Sequence, residues 1–142
     1  MGAKAADPVG GQCVNARGYY SGLQAAIHTV PHVWRSDLRF EEIDEHECYV
    51  SGVLLLIGGY ELYVAEYVVT SPTEARLKYR YHLQTPDGQL ASRWDNAPHY
   101  PDVATFPDHH HVGHGDVGPS APMTIPAVLD AALSFILPSQ AD

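Results

Sequence analysis

Alternation of apolar and polar side chains is the clearest pattern in this chain, and it is strong on either side of a glycine pair. Residues 48–57 are rich in aliphatic side chains, and residues 60–69 resume the pattern after Gly58 and Gly59. Two segments of this kind separated by two glycines are typical of a β-hairpin. Because successive side chains of a strand alternate between its faces, three residues of the second strand are predicted to share one face: Leu62, Val64 and Glu66.

A second pair of predicted strands follows, and its first member alternates regularly. In residues 75–84, the predicted inner face carries Leu77, Tyr79, Tyr81 and Leu83, and the predicted outer face carries Arg76, Lys78, Arg80 and His82. Residues 85–88, Thr-Pro-Asp-Gly, suit a tight turn, because proline presets the bend and glycine accepts a positive φ. Residues 89–95 are then predicted to be the returning strand.

Each end of the chain has a pattern that predicts a helix. Residues 19–28 are compatible with a short helix that ends before Pro31. Near the other end, Thr124 is a suitable N-cap with Pro126 in the first turn, and residues 127–137 place apolar side chains at helical spacing.

Together these elements predict an α+β fold in one domain that spans residues 1–142. Residues 33–38 are predicted to be extended, and the acidic residues 41–47 to form a hairpin turn or part of one. The sheet would be an antiparallel meander of about four or five strands, with a short N-terminal helix and a C-terminal helix that covers one face. The Gly/Ala-rich residues 1–18 are predicted to be flexible.

Composition and charge narrow the function classes. The formal net charge of −9 argues against a surface that coats nucleic acid generally, although residues 76–100 carry four cations against two carboxylates. That segment is therefore compatible with a small anion-binding patch, or with a solvated strand face of mixed charge. The apolar segments are too short to span a membrane, and neither a secretory signal nor a disulfide framework is visible, so a cytoplasmic location is expected.

The candidate chemistry is concentrated in residues 93–114, which hold five of the nine histidines. Three prolines at positions 98, 101 and 107 interrupt this segment and predict a stiff loop just after a strand. Loops on a rigid scaffold are where binding and catalytic groups are often placed. The histidines of the segment are His99, His109, His110, His111 and His114.

One interpretation of this cluster is metal-independent cleavage of RNA, which requires a base, an acid and a cation near the phosphate. His99, His109 and His111 would supply the acid and the base, Arg93 would hold the phosphate bidentately, and Asp95 would orient an imidazole. Residues expected to bind the substrate are Lys78, Arg80 and Asn96. A simpler interpretation of Asp95 and Asn96 is that their side chains cap a turn.

A metal site is the competing interpretation. His109 and His111 are two residues apart, so in an extended segment both rings point the same way. With His114 they form an HxHxxH string, which Asp116 or Glu66 could complete for zinc or another divalent ion. The string resembles the metal motif of metallo-β-lactamase-like hydrolases, but a glycine, residue 113, stands where that motif has an aspartate. No cofactor is therefore predicted.

Several strings in residues 45–137 resemble the TumE-type toxins of prokaryotic toxin–antitoxin systems. They are GYELYVAEYVV at 59–69 with Glu66 as the acidic residue, KYRYHLQTPDGQL at 78–90, RWDNAPHY at 93–100 and TFPDHHH at 105–111. The motif residues that match are Arg93, Asp95, Asn96, His99, His109 and His111. Departures are Tyr100 and Asp108, where the family has histidine, and His110, where it has lysine.

The resemblance implies a toxin that is paired with a small cognate antitoxin. Cleavage of RNA, argued from the residues, then makes RNA an expected partner. The alternative is a module without catalysis, in which the histidines of residues 99–114 bind a metal or another protein. No membrane partner is expected, and the sequence leaves a homodimer open.

Overall fold

An antiparallel sheet of seven strands forms most of the fold in the computed structural model, which describes residues 14–113 and 115–137. Neighbours in the sheet are also neighbours in sequence, so the topology is a meander. The strands are β1 (Val33–Asp44), β2 (Glu47–Leu56), β3 (Glu61–Val69), β4 (Ala75–Gln84), β5 (Leu90–Asp95), β6 (His109–Val112) and β7 (Asp116–Pro119).

The prediction of an α+β meander is confirmed, but the prediction of four or five strands is wrong. Of the two additional strands, β6 lies in the segment 93–114 that was expected to be a loop, and β7 follows that segment. Residues 109–112 place histidines on both faces and therefore show no apolar alternation, although their backbone pairs with β5. β1 also extends through Asp44, so only Glu45 and His46 of the acidic segment form the turn.

Two helices pack on one face of the sheet, called the covered face. Helix α1 (Ala16–His28) is capped by Asn15, and helix α2 (Ile125–Ile136) is capped by Thr124, whose hydroxyl accepts from the Ala127 amide. Neither helix is long and apolar enough to cross a membrane. The predicted flexible segment 1–18 lies outside the described residues up to residue 13, whereas Ala16–Gly18 belong to α1.

The core lies between these helices and the alternate strand residues beneath them. Both helices contribute buried side chains, and the strands contribute Cys48, Val50, Leu54, Leu62, Val64, Tyr81 and Leu83 among others. The predicted hairpin between β2 and β3 is present, and Gly58 and Gly59 both adopt positive φ, at 80° and 88°, in a 3-10 turn. Glycine fits there because other residues rarely adopt that conformation.

A β-bulge in β4 changes the predicted faces of that strand. Tyr67 pairs with Lys78 and Val68 pairs with Arg76, so Leu77 is the extra residue. As a result Leu77 is 55% exposed rather than buried, and Arg76 lies against the buried carboxylate of Glu66, with Nε to Oε1 3.5 Å. Beyond the bulge the predicted alternation is confirmed, since Tyr79, Tyr81 and Leu83 are buried.

The opposite face, called the open face, has no helix on it among the described residues. Its strand positions follow from the register, since side chains directly across from each other lie on the same side of a sheet. One row is Tyr63, His82, Arg93 and His111, and the next row is Ala65, Arg80, Asp95 and His109. The histidine segment and the basic residues of β4 therefore share this surface.

Candidate active site on the open face

Pairing of β5 with β6 brings together two pairs of candidate residues that are far apart in sequence. Asp95 lies opposite His109, and Arg93 lies opposite His111. Because β6 is extended, the side chains of His109 and His111 point to the open face and that of His110 points to the covered face. The ring centroids of His109 and His111 are 4.9 Å apart.

His109 is held between two oxygen acceptors and is almost fully buried. Its Nδ1 lies 2.8 Å from the carbonyl oxygen of Pro107, and its Nε2 lies 2.9 Å from Oδ1 of Asp95. A carbonyl only accepts, so Nδ1 carries a proton. The contact with the carboxylate is attractive when Nε2 also carries a proton, or when a cation lies between Nε2 and the carboxylate.

His111, unlike His109, has a ring nitrogen that faces a hydrogen-bond donor. Nη2 of Arg93 lies 3.3 Å from its Nε2, and because a guanidinium can only donate, that nitrogen accepts. Burial lowers the pKa of His111, and the neighbouring charge of Arg93 lowers it further, although Asp95 opposes this. His111 is therefore a neutral imidazole at neutral pH, with a lone pair directed toward Arg93.

Arg93 and Asp95 connect the two histidines. Nε of Arg93 donates to Oδ2 of Asp95 at 3.3 Å, and the same carboxylate oxygen is 3.6 Å from Nε2 of His111. Oδ1 of Asp95 also accepts from the amide of Ala97 at 3.0 Å. Asp95 thus caps the turn after β5 and orients three side chains of the site at once.

Asn96 belongs to the scaffold of the site. Its Oδ1 accepts from the amide of Tyr79 at 2.9 Å, and its Nδ2 donates to the carbonyl of Leu77 at 3.2 Å. These bonds fasten the turn after β5 to β4. One N–H and the oxygen of the side-chain amide therefore bond to the backbone, while Asn96 also borders the cavity.

A cavity of about 480 Å³ opens over these residues on the open face. Besides the four residues that pair across β5 and β6, it brings Lys78 and Arg80 from β4 to the same place as His99 from the loop. The lining residues are Tyr49, Ala65, Lys78, Tyr79, Arg80, Arg93, Asp95, Asn96, Ala97, His99, Tyr100, His109 and His111. Every residue predicted for catalysis or substrate binding therefore borders one cavity.

Three tyrosines border this cavity, Tyr49, Tyr79 and Tyr100, and none of them was predicted for the site. The ring of Tyr100 lies edge-on to His109 and His111, with centroids 5.0 Å and 5.6 Å apart, and forms one wall. Its position next to His99 in the motif was the only available signal. Tyr49 reaches the cavity from β2, two strands away from β4, and no motif in the sequence indicated it.

The other departures from the family motif have structural roles on the covered side. His110 stacks on Trp94 with centroids 4.8 Å apart, and it hydrogen-bonds Ser92 through Nε2. Asp108 accepts the hydroxyl of Tyr79 at 2.6 Å and so fastens the end of the loop to β4. Neither side chain belongs to the cavity lining.

Two of the predicted metal ligands, His109 and His111, also form a possible metal site with Asp95, which was not among the predicted metal ligands. Ligand atoms of Asp95, His109 and His111 all lie within 4.8 Å of one another, and all three residues are buried. His114 lies outside the described residues. Glu66 and Asp116 belong to the covered face by register, so neither completes this set.

Comparison with known proteins identifies a family. A family model described as toxin TumE matches residues 23–138. The chain belongs to the toxin TumE family. The match includes every element from the middle of α1 to the end of α2 and so contains the whole cavity. No curated protein and no solved structure matches the chain significantly.

Proposed function

We propose that this protein is the toxin of a toxin–antitoxin module and that it cleaves RNA by metal-independent acid–base chemistry. Family membership supports the toxin role and implies a cognate antitoxin. The RNA substrate is argued from the site, where a neutral histidine, an arginine and two further cations border one cavity. The proposal places the reaction in the cytoplasm.

The observation that carries the proposal is the pair Arg93 and His111. A base must be unprotonated at the working pH, and the lowered pKa of His111 keeps it so. A guanidinium beside it suits the phosphate that carries the reacting oxygen. When a phosphodiester enters, Arg93 exchanges its hydrogen bond to His111 for the phosphate oxygens and leaves Nε2 free to accept a proton.

The reaction follows from these positions. Nε2 of His111 removes the proton of the ribose 2′-hydroxyl, and the 2′-oxygen attacks the adjacent phosphorus. The bond from phosphorus to the 5′-oxygen breaks, and His99, exposed at the rim of the cavity, protonates that oxygen. The products are a 2′,3′-cyclic phosphate and a 5′-hydroxyl. Lys78, Arg80 and Arg93 stabilise the negative charge that develops on the phosphate.

His109 and Asp95 position the reacting groups rather than transfer protons themselves. The two nitrogens of His109 face the carbonyl of Pro107 and the carboxylate of Asp95, so neither is directed at a substrate. Its role is to fix the carboxylate that in turn orients Arg93. Removal of His109 is therefore expected to impair catalysis by disordering Arg93 and Asp95.

A labelled DNA strand that contains a single ribonucleotide tests the proposal. Wild-type protein in excess chelator should cut only on the 3′ side of that ribonucleotide and leave a cyclic phosphate. His111→Ala should lower the rate by about 10²- to 10⁴-fold, the usual contribution of a general base. Cleavage of the all-DNA strand, or the absence of cleavage of any RNA, would refute the proposal.

The second candidate function is metal binding without catalysis. It is favoured by the bond from His109 Nδ1 to a backbone carbonyl, an arrangement common for histidines that bind a metal through the other nitrogen. Asp95, His109 and His111 would then be the protein ligands. Titration of the purified protein with zinc distinguishes this function, since a stoichiometric site must be lost in Asp95→Asn.

A further inference from the structure

A second cavity adjoins the candidate active site on the open face. It has a volume of about 350 Å³ and is lined by Tyr63, Val64, Ala65, Arg80, His82 and Gln84. Ala65 and Arg80 border both cavities, so the two lie side by side across β3 and β4, and together they are called the depression. A ligand that fills both must be extended.

The register gives the length of this depression. Tyr63, His82, Arg93 and His111 face one another in a row across four adjacent strands. Since strands are about 4.8 Å apart, the row spans roughly 14 Å. At the ~3.4 Å rise of stacked nucleotides, this length accommodates about four nucleotides. A polynucleotide therefore fits the depression better than a single small molecule does.

The charge distribution indicates an anionic occupant near the junction of the two cavities. Most of the cations in the described residues lie on the open face: Arg35, Arg39, Lys78, Arg80 and Arg93. Lys78 and Arg80 form no salt bridge with any described residue, although the chain has a net charge of −9. Their exposed cationic groups remain available for phosphates.

The far end of the second cavity has different chemistry. Tyr63 is 44% exposed, and its hydroxyl donates to Oε1 of Glu61 at 2.7 Å, which fixes the ring. The same carboxylate oxygen accepts from the amide of Gln84 at 3.4 Å. The imidazole of His82 packs edge-on to the tyrosine ring at 6.4 Å. An exposed aromatic ring beside a carboxylate suits a base rather than a phosphate.

We propose that this second cavity is a base-binding subsite for single-stranded RNA, in which Tyr63 stacks on a base that flanks the scissile phosphate, while Arg80 contacts that phosphate from the junction of the two cavities. The proposal rests on the proposed ribonuclease function. Only an unpaired strand can place a base face on the tyrosine, because a duplex buries its base faces in its own stack. Single-stranded RNA is therefore the expected substrate form.

Binding is tested without cleavage by using His111→Ala protein and a short fluorescent single-stranded RNA. Adding Tyr63→Ala should weaken binding by about 5- to 150-fold, the usual range for one stacked base. Tyr63→Phe, which keeps the ring, should bind within about twofold of the parent. Tyr20→Ala on α1 is the matched control, since that tyrosine packs on Phe40 away from both cavities, and it should not change affinity.

A double-mutant cycle identifies the contact. RNA with an abasic residue beside the nucleotide that is cut should bind the parent protein more weakly than normal RNA does. Adding Tyr63→Ala should then lower the affinity for this abasic RNA little further. Coupling of this kind shows that the ring and the missing base contact each other. Independent, additive losses would overturn the subsite, and so would equal binding of single-stranded and duplex RNA.

Two further outcomes separate this subsite from the ribonuclease function. If wild type cuts RNA and Tyr63→Ala cuts it with unchanged KM and kcat, the subsite is wrong and the proposed function stands. If no RNA is cut although RNA binding depends on Tyr63 as described, the subsite stands and the nuclease function fails. A Tyr63→Ala protein that loses antitoxin binding while keeping RNA affinity would identify the surface as a protein interface and overturn the proposal.

Discussion

Oδ1 of Asp95 lies 2.9 Å from Nε2 of His109, and the other nitrogen of that imidazole lies 2.8 Å from the carbonyl oxygen of Pro107. The imidazole thus links the end of the proline-containing loop to the last residue of β5. Since Asp95 also accepts from Arg93 and from the amide of Ala97, one carboxylate holds the loop, the turn and the arginine together.

Asp95→Asn should reduce both activity and stability. An amide keeps the size of the side chain but cannot accept at both oxygen positions, so at least one of its three donors loses its acceptor. The free energy of unfolding should fall by about 1–3 kcal/mol in urea denaturation, and turnover should fall at least 10-fold. Asp102→Asn, at an exposed position of the loop, is the control and should be close to wild type.

The three consecutive histidines should respond differently to alanine substitution. His109→Ala and His111→Ala should abolish growth arrest and RNA cleavage, because both side chains belong to the cavity. His110→Ala should retain turnover but lower stability by about 1–2 kcal/mol, since it loses the stacking on Trp94 and the hydrogen bond to Ser92. Wild-type toxicity in both His109→Ala and His111→Ala would remove these histidines from the site.

Arg93→Lys should impair activity almost as strongly as Arg93→Ala. The guanidinium contacts Asp95 through Nε and His111 through Nη2, each at 3.3 Å, and an ammonium cannot make both contacts in that geometry. Steady-state kinetics over a range of salt concentrations provide the measurement, and wild-type kcat/KM should fall as salt rises. Arg17→Lys on α1 is the matched control. A fully active, salt-insensitive Arg93→Lys protein would instead indicate that Arg93 only pairs with Asp95.

Removal of divalent ions should leave cleavage unchanged. His111 and His99 transfer protons directly in the proposed reaction, so prolonged dialysis against a chelator should not lower kcat. Metal analysis of the same sample should find less than one ion per chain. One tightly bound ion per chain that is lost in both Asp95→Asn and His109→Ala, together with loss of activity on chelation, would establish the metal site instead.

Stability should decrease as the solution becomes acidic. Burial lowers the pKa of His82, His110 and His111 below the ordinary value of 6.5. Unfolding returns each pKa toward that value, so the unfolded chain binds protons more readily and gains from acid. This loss of stability is absent above about pH 6.5 and grows as the pH falls below that value.

Urea midpoints at about pH 7.5 and about pH 5.5 measure this effect. His82→Gln should show a smaller difference between the two midpoints than wild type does, because one titrating group is removed. His28→Gln, on the exposed side of α1, is the control and should keep the wild-type difference. A midpoint that does not change with pH in wild type would contradict the prediction.

The elements that sequence predicted well are those with a local cause. The glycine pair specified the hairpin between β2 and β3, and Thr124 specified the start of α2, because turn and cap chemistry act within a few residues. Likewise the spacing of His109 and His111 indicated a shared direction. Their distance from Asp95 was not predictable, since it depends on pairing between β5 and β6 across the whole loop.

The errors also have physical causes. The short strands β6 and β7 carry few apolar side chains, and most of their pairing is a matter of backbone hydrogen bonds that no side-chain pattern reveals. The faces of β4 were misassigned at Arg76 and Leu77 because a β-bulge depends on how one strand pairs with its neighbour, which the sequence of β4 alone does not show. Tyr49 escaped notice because its neighbours in the cavity come from other strands.

The bulge at Leu77 shifts the alternation of side chains between the two faces of β4 by one residue. N-terminal to it, Arg76 neutralises Glu66, whose carboxylate also accepts from the hydroxyls of Tyr19 and Tyr81 beneath the helices. C-terminal to it, Lys78 and Arg80 present their charges on the opposite side of the sheet. Deleting one residue here would turn Arg76 toward water and leave the buried carboxylate of Glu66 without its cation. One ten-residue strand therefore neutralises a buried carboxylate on one face of the sheet and presents two cations on the other.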